Sequence, residues 1–403
     1  MHVLLFATCD TKGREATWLK GQLELRGVPT KVVDCGSSGP PEGEVDISRE
    51  ELFAAAGFSA QALMDGGERG KAVNAAASGA AALALGAASR NELSGVLGIG
   101  GSAGTTIGTA AMRALPMGLP KLMVSTLASG NMRPYVGGGD ILVMNSVVDF
   151  AGMNRVSRQV LGQAVNAMAG MVTLERAQEP SGEQRPLVAT TMFGVTTACV
   201  ERAAQVLDAA GYEVLVFHAT GSGGESFELL VRSGMLAGVL DLTTTELADE
   251  LVGGILSAGP TRLTAAGEMG LPQVVSVGAT DMVNFGARAS LPPRFADRTV
   301  YEHNENVTLM RTTSKECKAI GAEIGCKLAA GKGPRRILLP ARGVSAIDRD
   351  EAPFDDPAAR AALFAGIEEH RGDVECDTLD LHINDPEFAE AAARALLELM
   401  QHE

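Results

Sequence analysis

Short apolar runs alternate along the chain with longer stretches whose apolar residues recur at helical spacing. Val3–Ala7 reads as a strand. The polar loop Thr8–Gly13 follows, then a helix pattern to Arg26 that Gly27 stops, and Pro29–Val33 reads as a second strand ending at Asp34. Cys35–Glu44 is a Gly/Ser/Pro loop, and helices are expected over Arg49–Ala56 and Glu68–Ala88. A strand over Gly95–Ile99 runs into glycines that open into a helix, Thr106–Ala114. Strands over Leu119–Ser125 and Asp140–Asn145 and a long helix over Asn154–Leu174 close the first half.

Glu175–Arg185 is polar and carries Pro180, Ser181 and Gly182, which marks it as a linker. The layout then restarts. Pro186–Thr191 is a strand, a loop at Met192–Thr197 leads into a helix to Ala210, Gly211 stops it, and Glu213–Phe217 is the next strand. Val239–Leu242 and Gln273–Val277 read as further strands. Ser314–Ala330, Ala358–Glu369 and Pro386–Gln401 read as helices around strands at Arg336–Pro340 and Asp373–Leu379. Alternating strands and helices give an α/β protein. The expectation is two Rossmann-like doubly wound domains, 1–178 and 186–403, with mainly parallel sheets and a cleft between them.

Bulk composition narrows the function. The chain has 403 residues, 46 % of them apolar and only 4 % aromatic, which suits small helices packed on sheets. A net charge of −15 argues against nucleic-acid binding, which needs phosphate-neutralising Lys and Arg. The six cysteines show no metal-type spacing and suit a reducing cytoplasm. Ala72–Ala88 is the nearest approach to a membrane span, but Lys71, Gly79, Gly86 and its small side chains mark a packed helix. The expectations are therefore a cytoplasmic chain, no nucleic acid and no membrane; no spacing marks a metal site, and whether side chains such as His218, Asp241, His303 and Glu305 hold one stays open.

The candidate chemistry centres on Val96–Leu115. Gly98-Ile99-Gly100-Gly101-Ser102-Ala103-Gly104-Thr105-Thr106 joins a strand to a helix. At such a junction backbone N–H groups and the helix dipole favour an anion, and hydroxyls add donors. It is neither a Walker A motif nor the dinucleotide fingerprint, whose last glycine would come one position earlier. Taken alone it could equally be a tight turn that packs a helix against the sheet. Asp10, Thr11 and Lys12 end the first strand, and Ser129 and Gly130 follow another, so all three loops should reach one sheet edge. In the second half, His218 precedes the glycine-rich Gly221-Ser222-Gly223-Gly224, with Asp241 and Glu246 at the next strand end. Tyr301–Asn306 is densely polar and Arg311 follows it. As a solvated loop it means little; folded into a cleft it offers His303, Glu305 and Arg311 as acid–base and anion-clamp groups.

Read together, these motifs resemble one family over nearly the whole chain: the ATP-binding domain of the tobamovirus resistance protein and its bacterial relatives of unassigned activity. The residues that carry the resemblance are Cys9–Gly13, Gly98–Thr105, Thr126–Gly130, Met192–Thr197, Val216–Gly221, Leu240–Leu247, Asp281–Gly286, His303-Asn304, Leu309–Thr313 and Leu339–Ser345. The resemblance implies two Rossmann-like subdomains, ATP (with or without Mg²⁺) in the N-terminal one, and a homodimer. On it, Asp10, Thr11, Lys12, Gly100, Gly101, Ser102, Gly104, Thr105, Thr106, Ser129 and Gly130 hold the nucleotide. The residues themselves, beyond the resemblance, suggest a cytoplasmic enzyme in which His218, Asp241, Glu246, His303 and Arg311 face the nucleotide across the cleft as catalytic groups for a small anionic metabolite. The alternative is a nucleotide-sensing module without chemistry that regulates a protein partner.

Overall fold

In the computed structural model, which describes residues 1–60, 68–174 and 184–401, the chain divides into two compact units, Met1–Ser181 and Gly182–Glu403. The expected linker, Glu175–Arg185, lies mostly outside the described residues.

In the first unit, β1 (His2–Ala7) leads to α1 (Cys9–Glu24), β2 (Thr30–Asp34), α2 (Arg49–Ala54) and α3 (Arg69–Ser89). Then come β3 (Leu93–Gly100), α4 (Ser102–Arg113), β4 (Lys121–Ser125), the short α5 (Arg133–Val136), β5 (Leu142–Asn145) and α6 (Arg155–Thr173). The five strands form one parallel sheet in the order β2-β1-β3-β4-β5. β1 is apolar without alternation because both its faces are covered. Val3, Leu5 and Ala7 pack with α1 and α6, while Leu4 and Phe6 pack with α2, α3 and α4. α3 is long and apolar enough to cross a membrane by composition, yet its Ala72, Ala75, Ala76, Gly79 and Ala80 stripe is buried in that second layer.

The strand order fixes where a ligand can sit. The chain steps from β1 to β2 in one direction, returns past β1 to β3, and continues to β4 and β5. The carboxyl ends of β1 and β3 therefore flank the point where the winding reverses, and the loops there diverge to leave a crevice.

The second unit repeats this plan. β6 (Leu187–Met192), α7 (Thr197–Ala209), β7 (Glu213–His218), α8 (Ser222–Arg232) and β8 (Leu236–Thr243) are followed by α9 (Glu246–Val252), α10 (Ala265–Met269) and β9 (Gln273–Gly278). β10 (Met282–Phe285), β11 (Val300–Asn304), β12 (Val307–Arg311), α11 (Ser314–Ala330), β13 (Arg335–Pro340), α12 (Pro357–His370), β14 (Glu375–Leu379) and α13 (Pro386–Gln401) complete it. The main sheet is parallel, β14-β13-β9-β8-β6-β7, and its reversal point lies between β6 and β8. An antiparallel sheet, β10-β12-β11, departs from the expected pattern. Its β11–β12 hairpin carries the polar Tyr301–Asn306 run, whose density of Glu, His and Asn hides a strand. β11 is an edge strand, so its side chains need not alternate.

One close approach shapes the first unit. A Cβ on Gly13 would lie 1.6 Å from the Glu42 carbonyl oxygen, so only glycine lets the Cys35–Glu44 loop cross α1 here. Gly21, on the same helix, has nothing within 4 Å of the place a Cβ would take. Gly13→Ala is expected to destabilise by about 2–3 kcal/mol through forced backbone movement. Gly21→Ala should instead stabilise by about 0.5–1 kcal/mol. Urea unfolding of both variants checks the pair.

Candidate functional site

At the carboxyl end of β1, Thr8 leads straight into α1, whose first turn carries Asp10, Thr11 and Lys12. Asp34, ending β2, is 1 % exposed. It accepts from the N–H groups of Cys9 (3.1 Å) and Gly36 (2.8 Å) and from Arg49 Nε (2.7 Å). In dinucleotide folds the acid at this strand end reads a ribose; here it is consumed in holding α1 and the next loop together. Asp10 Oδ2 in turn accepts from the N–H groups of Ser37 (3.1 Å) and Ser38 (2.9 Å). Gly36 makes this possible, since a Cβ there would lie 2.7 Å from the Asp10 carboxyl carbon. Lys12 Nζ donates to the Phe150 carbonyl at 2.8 Å, which brings the loop after β5 over the same edge.

At the end of β3, Gly101 caps α4 without a side-chain hydrogen bond. Among the described residues, the N–H groups of Ser102, Ala103 and Gly104 donate to no protein acceptor; the first bond back is Thr105 N–H to Gly101 O at 2.8 Å. These loops enclose a cavity of about 370 Å³. Its polar wall includes Thr8, Asp10, Thr11, Lys12, Ser37, Ser38, Arg69, Ser102, Thr126 and Asp149, and its apolar wall Cys35, Ala72, Val73 and Ile107.

Of the expected nucleotide contacts, Asp10, Thr11, Lys12, Gly101, Ser102 and Gly104 line this cavity. The others do not. Thr105 Oγ1 is buried against Ser125 Oγ at 2.7 Å, and Thr106 Oγ1 turns back to the Ser102 carbonyl at 2.9 Å. Gly100 serves packing: a Cβ there would meet Gly104 Cα at 2.8 Å. Ser129 and Gly130 are exposed and lie outside the cavity wall. Sequence reading missed Ser37 and Ser38, although the Gly36-Ser37-Ser38-Gly39 turn after β2 was the available signal. Arg69 and Asp149 gave none, because they reach the edge only through the packing of α3 and the β5 loop. Burial, with Asp34 nearby, pushes the Cys9 thiol up to about 12 and Cys35 well above its usual range, so neither is a thiolate nucleophile.

In the second unit, three of the five expected catalytic groups lie in the interior. Asp241 and Glu246 are fully buried. Asp241 holds Arg262 through both carboxylate oxygens (2.5 and 2.8 Å), Glu246 Oε2 meets Arg262 Nε at 2.7 Å, and Glu228 adds a contact at 3.3 Å. Burial alone would lower the Arg262 pKa, but these carboxylates hold it well above the ordinary value. Arg311 is 7 % exposed. It donates to the Phe354 and Asp281 carbonyls (2.8 and 3.2 Å) and pairs with Asp348. Each is held in an interior ion pair. His218 is exposed beside the Phe193 ring, with centroids 5.7 Å apart, and His303 is exposed on β11. Neither hydrogen-bonds to another of the five.

The second glycine loop also reads differently. Glu246 Oε1 accepts from the N–H groups of Gly221 (2.6 Å) and Gly224 (3.0 Å). The chain's own carboxylate thus fills the loop at the start of α8, taking two of its N–H groups, and a Cβ on Gly224 would strike it at 2.2 Å. Among the described residues, no three His, Cys, Asp or Glu side chains converge as metal ligands.

The Asp281–Gly286 motif is structural as well. Asn284 Nδ2 donates to Asp249 Oδ2 at 2.7 Å, while Asp249 Oδ1 accepts from the Leu256 and Asn284 N–H groups. Burial pushes Asp249 up to about 7. Asn284 Oδ1 is buried without a partner, so one amide flip gives a protonated Asp249 its acceptor. An acid with a raised folded pKa binds its proton more tightly folded than unfolded. Its contribution to stability is complete below about pH 4, the unfolded value, and is lost as the pH rises through about 7. Thermal unfolding across pH 4–8 should show this fall, and Asp249→Asn should flatten it. Arg262→Met, which strands three buried carboxylates, should cost about 3–5 kcal/mol in the same assay.

Comparison with known proteins agrees with the two-unit division. Residues 1–177 match the N-terminal domain, and residues 185–400 the C-terminal domain, of "Uncharacterised protein family (UPF0261)". A UPF0261 protein of Rhizobium meliloti is 48 % identical over 403 residues, 99 % of each chain. One of Clostridium tetani is 45 % identical over 401 residues, again 99 % of each. The ToMV resistance protein Tm-1(GCR237) of Solanum lycopersicum is 46 % identical over 314 residues, which are 76 % of this chain and 42 % of that protein. From residue 1 to residue 400, then, the chain belongs to the UPF0261 family.

Proposed function

We propose that the first unit binds the phosphates of a nucleotide, ATP by family resemblance, in the crevice between β1 and β3. One observation carries this reading. The two units share a winding, and each starts a helix after a glycine loop. In the second unit Glu246 occupies the loop and accepts from the Gly221 and Gly224 N–H groups; in the first, among the described residues, the Ser102–Gly104 N–H groups have no protein acceptor and their residues line the cavity. A helix start with outward N–H groups, a lysine and hydroxyls is a phosphate cradle. Lys12 would exchange the Phe150 carbonyl for a phosphate oxygen, a charge-assisted and stronger bond. Thr11 and Ser102 would add hydroxyl donors. Magnesium, where present, would be held by the phosphates, with Asp149 the exposed carboxylate of the wall.

The proposal concerns binding. With Asp241, Glu246 and Arg311 locked in the interior, a second reading gains weight: a module that senses a nucleotide and acts through a protein partner. The enzyme reading would need a catalytic set built from other groups.

Calorimetry with ATP tests the site. Lys12→Ala should weaken binding about 10- to 100-fold, the scale of one hydrogen bond to a charged group. Ser102→Ala should weaken it less, and His218→Ala should leave it unchanged. Wild-type affinity in both Lys12→Ala and Ser102→Ala would remove the assignment.

A further inference from the structure

The two units wind alike, and at one sheet edge the likeness holds residue by residue. The first strand of each unit shifts register against its inner neighbour at the same place, between His2 and Val3 in β1 and between Leu187 and Val188 in β6. Each first strand also accepts an N–H just past the end of its outer neighbour, Cys35 to Ala7 O at 2.8 Å and Ala219 to Met192 O at 2.7 Å. In this register Val32 of β2 corresponds to Val216 of β7, and Asp34 to His218. β2 and β7 are both edge strands. The first unit covers its edge with its own chain. Ile47 N–H donates to Val32 O and Asp34 N–H to Ile47 O, both at 3.0 Å, and Val32 N–H donates to Asp46 Oδ2 at 2.8 Å. The second unit has no such cover. Only residues 219–221 separate β7 from α8, too few to fold back, and among the described residues no strand pairs with the outer side of β7. Glu213 and Ala219 both donate inward to β6, so Val214 and Val216, of the other parity, turn their N–H and C=O groups outward. Val216 is 48 % exposed.

Beside this edge lies a cavity of about 520 Å³, with apolar surface from Met192, Val200, Ala204, Val214 and Val216. Its rim is acidic. Glu201 on α7 and Glu213 are exposed, while Asp208 is taken by Arg185 at 2.8 Å. At the covered edge of the first unit the signs are reversed, for there Lys20 on α1 holds Asp46 of the covering segment at 2.9 Å. We propose that the outer edge of β7 docks an extended segment of a partner protein, basic and apolar, which joins the sheet as a further strand. Its main chain pairs with Val214 and Val216, its apolar side chains enter the cavity, and its Lys or Arg side chains meet Glu201 and Glu213. A second copy of this chain fits the edge less well. Pairing β7 with β7 gathers Glu201 and Glu213 from both copies at one seam, in a chain whose net charge is already −15.

The covering segment of the first unit supplies the probe. A synthetic peptide with the sequence of residues 43–48, carrying Glu44→Lys and Asp46→Lys, is titrated into the full chain beside a control peptide of the unaltered sequence. Fluorescence anisotropy of the labelled peptides reads affinity, and amide hydrogen exchange reads the place of binding. The lysine peptide should bind at least about fivefold more tightly than the control. It should slow exchange at Val214 and Val216 and change little at Leu215 and Phe217, whose N–H groups already bond to β6. Glu201→Lys together with Glu213→Lys should reverse the preference between the peptides. Equal affinities, binding of neither peptide, or binding of the lysine peptide without slowed exchange at Val216 would overturn the proposal. So would exchange at Val214 and Val216 that slows as the chain alone is concentrated, which would give the edge to a second copy. The comparison of the two peptides on the wild type stands even where the double variant misfolds.

Discussion

The first N–H groups of a helix have no acceptor within that helix, and the fold has to find one for each of them. This constraint separates the two halves of the chain. In the second unit the carboxylate of Glu246 is driven into the Gly221–Gly224 loop, with Arg262 neutralising it from behind. In the first unit the start of α1 is tied to Asp34 and the Ser37-Ser38 turn to Asp10. The start of α4 is left facing a cavity that Lys12 overlooks. Two copies of one winding thus treat the same need differently, one with an internal carboxylate and one with a helix start left open to a cavity.

Internal satisfaction carries a cost in buried charge. Arg262 sits among Asp241, Glu246 and Glu228, and Arg311 and Arg360 share Asp348. A buried ion pair adds little net stability against an apolar replacement, but removing one partner strands the other. These clusters fix the loops at the carboxyl ends of β8, β9 and β13, where an enzyme of this fold would place its reactive groups. Ion clusters occupy those positions in the second unit, while in the first the polar groups at the β1 and β3 ends line a cavity.

The alternation of apolar runs and helical stretches was enough to read two doubly wound α/β units, because parallel strands covered on both faces are apolar throughout. The glycine loop after β3 and Asp10-Thr11-Lys12 after β1 were legible for a related reason: strand–loop–helix junctions are local, and their donors are nearest neighbours. The roles of Asp241, Glu246 and Arg311 were not legible. A charged residue at a strand end reads alike whether it faces solvent or a buried arginine, and Arg262 lies in a stretch with no periodic pattern to place it. The β11–β12 hairpin was hidden by its exposure, and Ser37, Ser38, Arg69 and Asp149 by the long-range packing that brings them to the crevice.

The central claim is that phosphate occupies the start of α4. Crystals grown with ATP test it most directly. The account predicts phosphate oxygens within hydrogen-bonding distance of the Ser102–Gly104 N–H groups and of Lys12 Nζ, with Glu246 still seated on Gly221 and Gly224. Phosphate bound at the Gly221–Gly224 loop in place of Glu246, or the start of α4 left without phosphate while ATP is bound elsewhere, would contradict it.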